Sequence, residues 1–340
     1  MKIPLFLTAL LGLLLSPLQA EPVKIIFDTD MGNDIDDAMA LVMIHNLAKR
    51  DAVELLAVTS TKDHPLSAAY IDAVNTYYGF PDIPIGVVHD GATQEVGRYN
   101  EVATRTNEDG TLRYPHDLKS GEEAPEAVAL IRKTLAAQPD ESVKLVQVGF
   151  FTNFSRLLDS TPDKYSNLDG KALIKAKVKE LVIMAGAFQT IRYGTQHLEY
   201  NVVKDIPSAQ KLAAEWPTPV VWSGFEIGLH STYPWKSIVE DYNYIDNHLL
   251  KDSYLAWAQI TPHDRPTWDL SCVLHAIYPD RDYFYLSPKG SVTVNDEGRT
   301  DFSPAKKNGK DAYLIMSNEQ AARLREAYVQ LCTQPPSPVK

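Results

Sequence analysis

Six short apolar runs rich in Val, Ile or Leu recur along the chain, at Lys24–Phe27, Leu55–Thr59, Ile83–Val88, Val143–Val148, Leu181–Met184 and Val220–Trp222. Stretches with helical spacing of apolar residues separate them, at Asp37–Lys49, Leu66–Tyr78, Pro125–Ala137 and Pro207–Ala214. A strand that is apolar throughout has no face to show to water, so it must be covered on both sides, and intervening helices supply that cover. The pattern predicts an α/β fold, a doubly wound and mostly parallel sheet in one large domain. At 340 residues, 44% apolar and 23% charged, the chain has the apolar content of a folded protein, which excludes disordered, collagen and coiled-coil readings.

The first twenty residues differ from the rest. Lys2, an apolar run from Ile3 to Leu15 and Ser16-Pro17-Leu18-Gln19-Ala20 before Glu21 describe a secretory signal peptide, too short for comfortable membrane spanning. An uncleaved anchor is the alternative. The expected organisation is a leader at 1–20, a globular domain at 21–333 and a loose tail at 334–340, with the mature protein secreted or periplasmic and off the membrane. Without Lys2, 32 basic residues face 44 acidic ones, a formal charge of −12. Nucleic acid and anionic lipid would be repelled, and small neutral substrates fit better. Cys272 and Cys332 are the only cysteines; an exported chain permits a disulfide, and two free thiols fit equally well. Self-association is left open.

Parallel sheets bind ligands outside the carboxyl ends of their strands, so the residues to read are those that follow each apolar run. They are Asp28-Thr29-Asp30, Ser60 to His64, Gly149 to Asn153 and Ala185 to Gln189. The long polar segment from His89 to Glu123 reads as a lid or flap, or as a disordered surface insertion. Asp28 to Asp37 reads DTDMGNDIDD, five carboxylates in ten residues with no Lys or Arg between Lys24 and Lys49. At the end of a buried strand that density of like charge repels itself unless a cation neutralises it. Hard oxygen ligands favour Ca²⁺ or Mg²⁺ over zinc. Asp36 and Asp37 also fall at a helix N-terminus, where free amides stabilise anions. An EF-hand loop does not fit, because Gly32 comes one place early and Met39 stands where the closing Glu belongs.

Two families place aspartates in this way. A D-x-D directly after a hydrophobic strand resembles the haloacid dehalogenase-type phosphatases, which would make Asp28 a nucleophile, but their motif continues with Thr or Val where this chain has Gly32. More extensively, DTDMGNDIDDA resembles the DTDPGxDDA signature of the inosine-uridine-preferring nucleoside hydrolase family. VQVGFFTN at Val146–Asn153, ELVIMAGAF at Glu180–Phe188, LEYN at Leu198–Asn201 and Thr267-Trp268-Asp269 are similar to that family's later segments, in order and over nearly the whole mature chain.

The resemblance implies a nucleoside hydrolase-like fold, a calcium ion and a nucleoside substrate. Asp30 would be a calcium ligand and the general base for water. Asp37, Asp269 and the backbone carbonyl of Val148 would complete the metal site. Asp36 would accept a hydrogen bond from a ribose hydroxyl, with Glu199 and Asn201 on other hydroxyls, while Asp28 supports the loop. The chain departs from the signature by the extra pair Asn33-Asp34, so either Asp34 or Asp36 could face the sugar. Trp268 replaces the His associated with the leaving base in the inosine-uridine type. There, and at Asp63, the chain resembles the purine-specific branch, in which a Trp stacks on the base. His64, Asp63, His197 and Tyr200 are candidate donors to the leaving base, and no general acid is chosen among them. The resulting expectation is a calcium-dependent, purine-preferring ribonucleoside hydrolase. The alternatives are a periplasmic nucleoside or ribose binder without turnover and a metal-dependent phosphatase.

Overall fold

The computed structural model describes residues 21–191, 197–259, 261–305 and 309–336. The expected leader and the last four residues of the expected tail lie outside them. Each of the six apolar runs overlaps a strand: β1 (Val23–Thr29), β2 (Val53–Ser60), β3 (Ile85–Val87), β4 (Val143–Gln147), β5 (Val178–Met184) and β6 (Val220–Ser223). They pair in parallel in the order β6-β5-β4-β1-β2-β3. Strand Asp311–Ile315 extends the sheet in parallel beside β6. Gly290–Val294 and Thr300–Pro304 then continue it as antiparallel strands.

Two layers of buried side chains flank the sheet. One holds Met43, Ile71, Tyr254, Leu274 and Leu324, from the helices α1 (Ile35–Ala48), α2 (Pro65–Tyr77), Leu249–Ala258, Asp269–Ile277 and Asn318–Cys332. The other holds Ile131, Leu157, Ile174 and Leu212, from Ala127–Ala136, Thr152–Asp159, Gly170–Lys177 and Ile206–Glu215. This is the doubly wound arrangement. In α1 every residue from Ile35 to Leu47 is buried, because it packs on the sheet at β2 and against the helices α2, Leu249–Ala258, Asp269–Ile277 and Asn318–Cys332, so no polar stripe is needed. The chain leaves β1 toward β2 and later returns to pair β4 on β1's other edge. That reversal of strand order opens a crevice at the carboxyl ends of β1 and β4.

The segment from His89 to Glu123 is not a disordered insertion. It buries Tyr99, Val102, Ala103 and Tyr114, and Arg105 and the Tyr114 hydroxyl both donate to Asp252, at 2.9 and 2.8 Å. Cys272 and Cys332 are both buried and free. Among the described residues no helix is long and apolar enough to cross a membrane.

Candidate active site

Successive side chains of a strand point to opposite faces, so Asp28 and Asp30 share an orientation that Thr29 does not. Asp28 lies inside the sheet layer with no exposure. It accepts hydrogen bonds from the Thr59 hydroxyl at 2.5 Å and the Asn153 amide at 2.8 Å, and burial pushes its carboxyl up to about 7. A nucleophile needs access, and Asp28 has none, which removes the phosphatase alternative. Thr29 donates to Asp37 across the turn. Asp30, just beyond the strand, lines the crevice.

Backbone packing fixes that placement. A Cβ on Gly149 would lie 2.4 Å from the Asp30 amide nitrogen and 2.4 Å from the Thr61 hydroxyl, so the end of β4 can back onto β1 only with glycine there. Gly32 takes a φ of +124°, open to glycine alone at no steric cost. The Tyr99 hydroxyl accepts from the Gly32 amide at 2.9 Å and donates to the Asp34 carbonyl at 2.7 Å, which ties the acidic loop to the long segment.

Asp36 and Asp37 occupy the first turn of α1, and Asp269 is the first residue of its helix. Carboxylate oxygens of Asp36, Asp37 and Asp269 all lie within 4.8 Å of one another. Asp36 holds the two helix starts together, accepting from the Trp268 amide at 2.8 Å and the Asp269 amide at 3.3 Å. Asp30 adjoins the cluster closely enough that its charge helps raise the carboxyls of Asp37 and Asp269. Burial is the larger cause for both, and it lifts each well above the ordinary carboxylate range. It also lifts Asp30 to about 6 and Asp36 to about 8. The dipoles of two helix N-termini act in the opposite sense and do not compensate.

Buried acids so crowded are stable either as protonated groups or around a cation. The Val148 carbonyl is turned into the same crevice, where it accepts from the Asn201 side-chain amide at 2.9 Å. The donors are thus all oxygen, three of them from distant parts of the chain, and they fit a hard divalent ion.

Around this floor lies a cavity of about 380 Å³, lined also by Asp34, Glu199, Asn201, Tyr200, Phe225, Trp257, Arg265 and Trp268. Glu199 caps the short helix Tyr200–Lys204, accepting from the Asn201 amide at 2.8 Å and the Gly186 amide at 3.2 Å. Burial raises it to about 7. Asp34 and Asp36 both reach the cavity, but Asp34 is taken by Arg265, whose Nε donates to it at 3.0 Å and whose Nη2 donates to its other oxygen. Asp36, itself part of the cluster, has no such cation on it among the described residues.

Three expected residues, Asp63, His64 and His197, do not line the cavity. Asp63 turns away to accept from the Gly91 amide at 3.2 Å, and His64 caps α2 through the Leu66 amide, also at 3.2 Å. The turn after β2 is drawn onto the following loop, where Asp63 donates its amide to the Thr93 carbonyl at 3.0 Å. His197 stacks on Phe225 with ring centroids 3.6 Å apart, and Phe225 stacks on Trp268 at 5.3 Å.

Conversely, sequence reading missed Asn33, Lys62, Arg265, Phe225 and Trp257. Asn33 donates to Asp30 and accepts from the Lys62 ammonium at 2.5 Å. The unmatched extra pair Asn33-Asp34 was the signal available: a carboxylate added to an already crowded loop calls for a cation, and Arg265 is that cation.

The model of the family described as inosine-uridine preferring nucleoside hydrolase matches residues 25–320. The pyrimidine-specific ribonucleoside hydrolase RihA of Escherichia coli is 27% identical over 208 residues, which are 60% of this chain and 61% of the relative's length. The chain therefore spans about three-fifths of that curated relative. Among solved structures, a purine-preferring ribonucleoside hydrolase from Gardnerella vaginalis is 18% identical with a TM-score of 0.68, covering 91% of this chain and 98% of that one. An inosine-guanosine nucleoside hydrolase is 19% identical with a TM-score of 0.65, covering 91% and 97%. At these identities the structural likeness bears on the fold.

Proposed function

The chain belongs to the inosine-uridine preferring nucleoside hydrolase family, and from that premise we propose that it cleaves the N-glycosidic bond of ribonucleosides to free base and ribose. The observation that carries the reading is the meeting of Asp37 and Asp269, 232 residues apart in sequence, with Asp36 in the same cluster and Asp30 lining the same cavity.

We assign a calcium ion to Asp30, Asp37, Asp269 and the Val148 carbonyl; such an ion supplies acidification of a water and a grip on vicinal hydroxyls. Asp30 is the general base that takes the water's proton, a role its place on the cavity floor beside Asp37 and Asp269 supports. Asp36 accepts from a ribose hydroxyl, and Glu199 and Asn201 hold others. The surplus of negative charge beside the sugar favours the oxocarbenium-like ring that forms as the bond stretches. Fixing sugar and water in one orientation lowers the barrier further.

RihA is named for pyrimidines and the Gardnerella relative for purines, so relatives do not decide the base. Trp268, in place of the His of the inosine-uridine type, and the Trp257 ring support a purine. Export rests on the leader-like residues 1–20. The test is to incubate residues 21–340 with inosine, adenosine and uridine, with Ca²⁺ and with EDTA. Free base and ribose should appear only with the ion, fastest from a purine nucleoside. Tight nucleoside binding without release would leave a binder in place of an enzyme.

A further inference from the structure

The hydrolase reading leaves open what meets the departing base. On cleavage the C1′–N bond breaks with its electron pair passing to the base. The water oxygen bonds C1′, Asp30 takes the proton, and the base leaves as an anion that is reprotonated from solvent. A group on the cavity wall beside the sugar site that stabilises negative charge on the base would assist that step.

Arg265 stands there. Its guanidinium carbon lies 4.8 Å from the Trp257 ring centroid and 5.1 Å from that of Trp268, and Trp268 is followed directly by Asp269 of the acidic floor. Asp34 engages the Nε and Nη2 side of the guanidinium. This side-on pairing leaves the end-on fork, Nη1 with the outer hydrogen of Nη2, unused. Nη1 has no hydrogen-bond partner among the described residues, although Arg265 lines the cavity. A planar cation held on one edge by a carboxylate and against two indoles has little freedom left to lose when a ligand arrives. Its carboxylate comes from the Asn33-Asp34 pair by which the acidic loop exceeds the family signature.

We propose that Arg265, clamped by Asp34 and the two tryptophans, meets the leaving base and selects bases that present two adjacent acceptors, as the O6/N7 edge of a 6-oxopurine does. The fork of an arginine matches that edge in a bidentate pair, whereas the corresponding edge of adenine puts an N6 amino donor against the guanidinium donors. The interaction strengthens as charge builds on the base, so it acts on the transition state more than on the bound substrate. This inference rests on the hydrolase reading of the same cavity.

The experiment compares kcat/KM for inosine, adenosine, 7-deazainosine and p-nitrophenyl β-D-riboside, all with Ca²⁺, in the wild type and in Arg265→Gln, Arg265→Lys and Asp34→Asn. The wild type should favour inosine over adenosine by about 5- to 150-fold, the range of one bidentate contact. 7-Deazainosine, lacking one acceptor, should fall between them. Both Arg265 variants should bring the inosine-to-adenosine ratio near unity and lower inosine turnover relative to the nitrophenyl riboside, whose leaving group is already stable as an anion. Asp34→Asn should move the ratio the same way by a smaller factor. Arg265→Lys keeps charge and stem, so it reads the fork even where the glutamine variant unfolds. A wild type that prefers adenosine, or an inosine-to-adenosine ratio untouched by either Arg265 substitution, overturns the proposal while leaving the hydrolase intact. Failure of the wild type to cleave even the nitrophenyl riboside would overturn the hydrolase reading and this inference together.

Discussion

Asp30 and Asp28 stand two residues apart on one strand end with the same chemistry and opposite surroundings. Asp28 has lost all exposure, and its hydrogen bonds join the ends of β1 and β2 to the start of the helix Thr152–Asp159. Asp30 faces the cavity with Asn33 and Lys62 behind it. Removing a positioned general base lowers turnover by about 10²- to 10⁴-fold, so Asp30→Asn should reduce kcat by at least that range, since it removes a metal donor as well. Steady-state rates at saturating Ca²⁺ check this. Asp28→Ala should cost stability, seen as a lower Tm, because the buried Thr59 hydroxyl and Asn153 amide, which both donate to Asp28 Oδ1, lose their acceptor. At this scale the acidic residues were legible from sequence, since charge density at a strand end has few physical solutions. The basic residues were not. Lys62 and Arg265 act on the loop from 29 and 231 residues away, and nothing in their own neighbourhood marks them. Asp63 and His64 were misplaced for a related reason: a polar turn after a strand can face the crevice or close its own loop, and the amides of Gly91 and Leu66 drew them to the second.

Elements explain why the site is rigid. β1 and β4 are adjacent parallel strands whose ends must nearly touch for Asp30 and the Val148 carbonyl to face one space, and Gly149 permits the contact. In Gly149→Ala the added methyl would have to displace the Asp30 backbone or the Thr61 side chain. Overpacking of this kind costs about 1–3 kcal/mol. A lower Tm together with a loss of kcat larger than the loss of stability would locate the strain at Asp30; normal kcat in a merely less stable protein would show that the loop can relax. Tyr99→Phe tests the other side of the loop, since it leaves the buried Gly32 amide without its acceptor, at about 1–3 kcal/mol. Six of the parallel strands and the four helices with a clear period were readable, because buried strands carry unbroken apolar runs; the parallel strand Asp311–Ile315 and the short helices Thr152–Asp159, Gly170–Lys177 and Tyr200–Lys204 were not. The C-terminal third was not. Gly290–Val294 alternates buried and exposed residues over five positions only, and Asn318–Cys332 buries five side chains in fifteen, so neither presents a strong pattern. The His89–Glu123 segment lacks periodicity because it is held by single contacts, such as those of Tyr99 and Asp252, and not by a repeating face.

For the molecule as a whole, the acidic floor is a liability that the ion should convert into stability, and pH separates the two conditions. Without a cation, burial holds Asp30 at about 6, Asp28 and Glu199 at about 7 and Asp36 at about 8, all above the values these groups have in an unfolded chain. Between those limits the folded protein binds protons that the unfolded chain has released, so the stability associated with the neutral acids is present at low pH and lost as pH rises through about 6 to 8. Buried histidines work at the other end. His45 and His248 are pushed down to about 3 and His275 to about 4, below the ordinary 6.5, so there the unfolded chain binds the extra proton and stability falls as pH drops below 6.5 toward 3. Between about pH 4.5 and 6.5 the two sets oppose each other, and above 6.5 only the acids still distinguish folded from unfolded chain, so in EDTA Tm should fall as pH rises from 6.5 to 8. A cation binds the ionised carboxylates and expels their protons, so its affinity grows with pH. At 100 times the dissociation constant it contributes about 2.7 kcal/mol, or about 5 °C in a domain of this size. Thermal unfolding in excess Ca²⁺ should show the alkaline limb raised by at least that amount at pH 8, a smaller rise at pH 6 and an acid limb unchanged below pH 5. An increment equal at pH 6 and pH 8, or none at either, would mean that the carboxylates at the end of β1 do not share an ion.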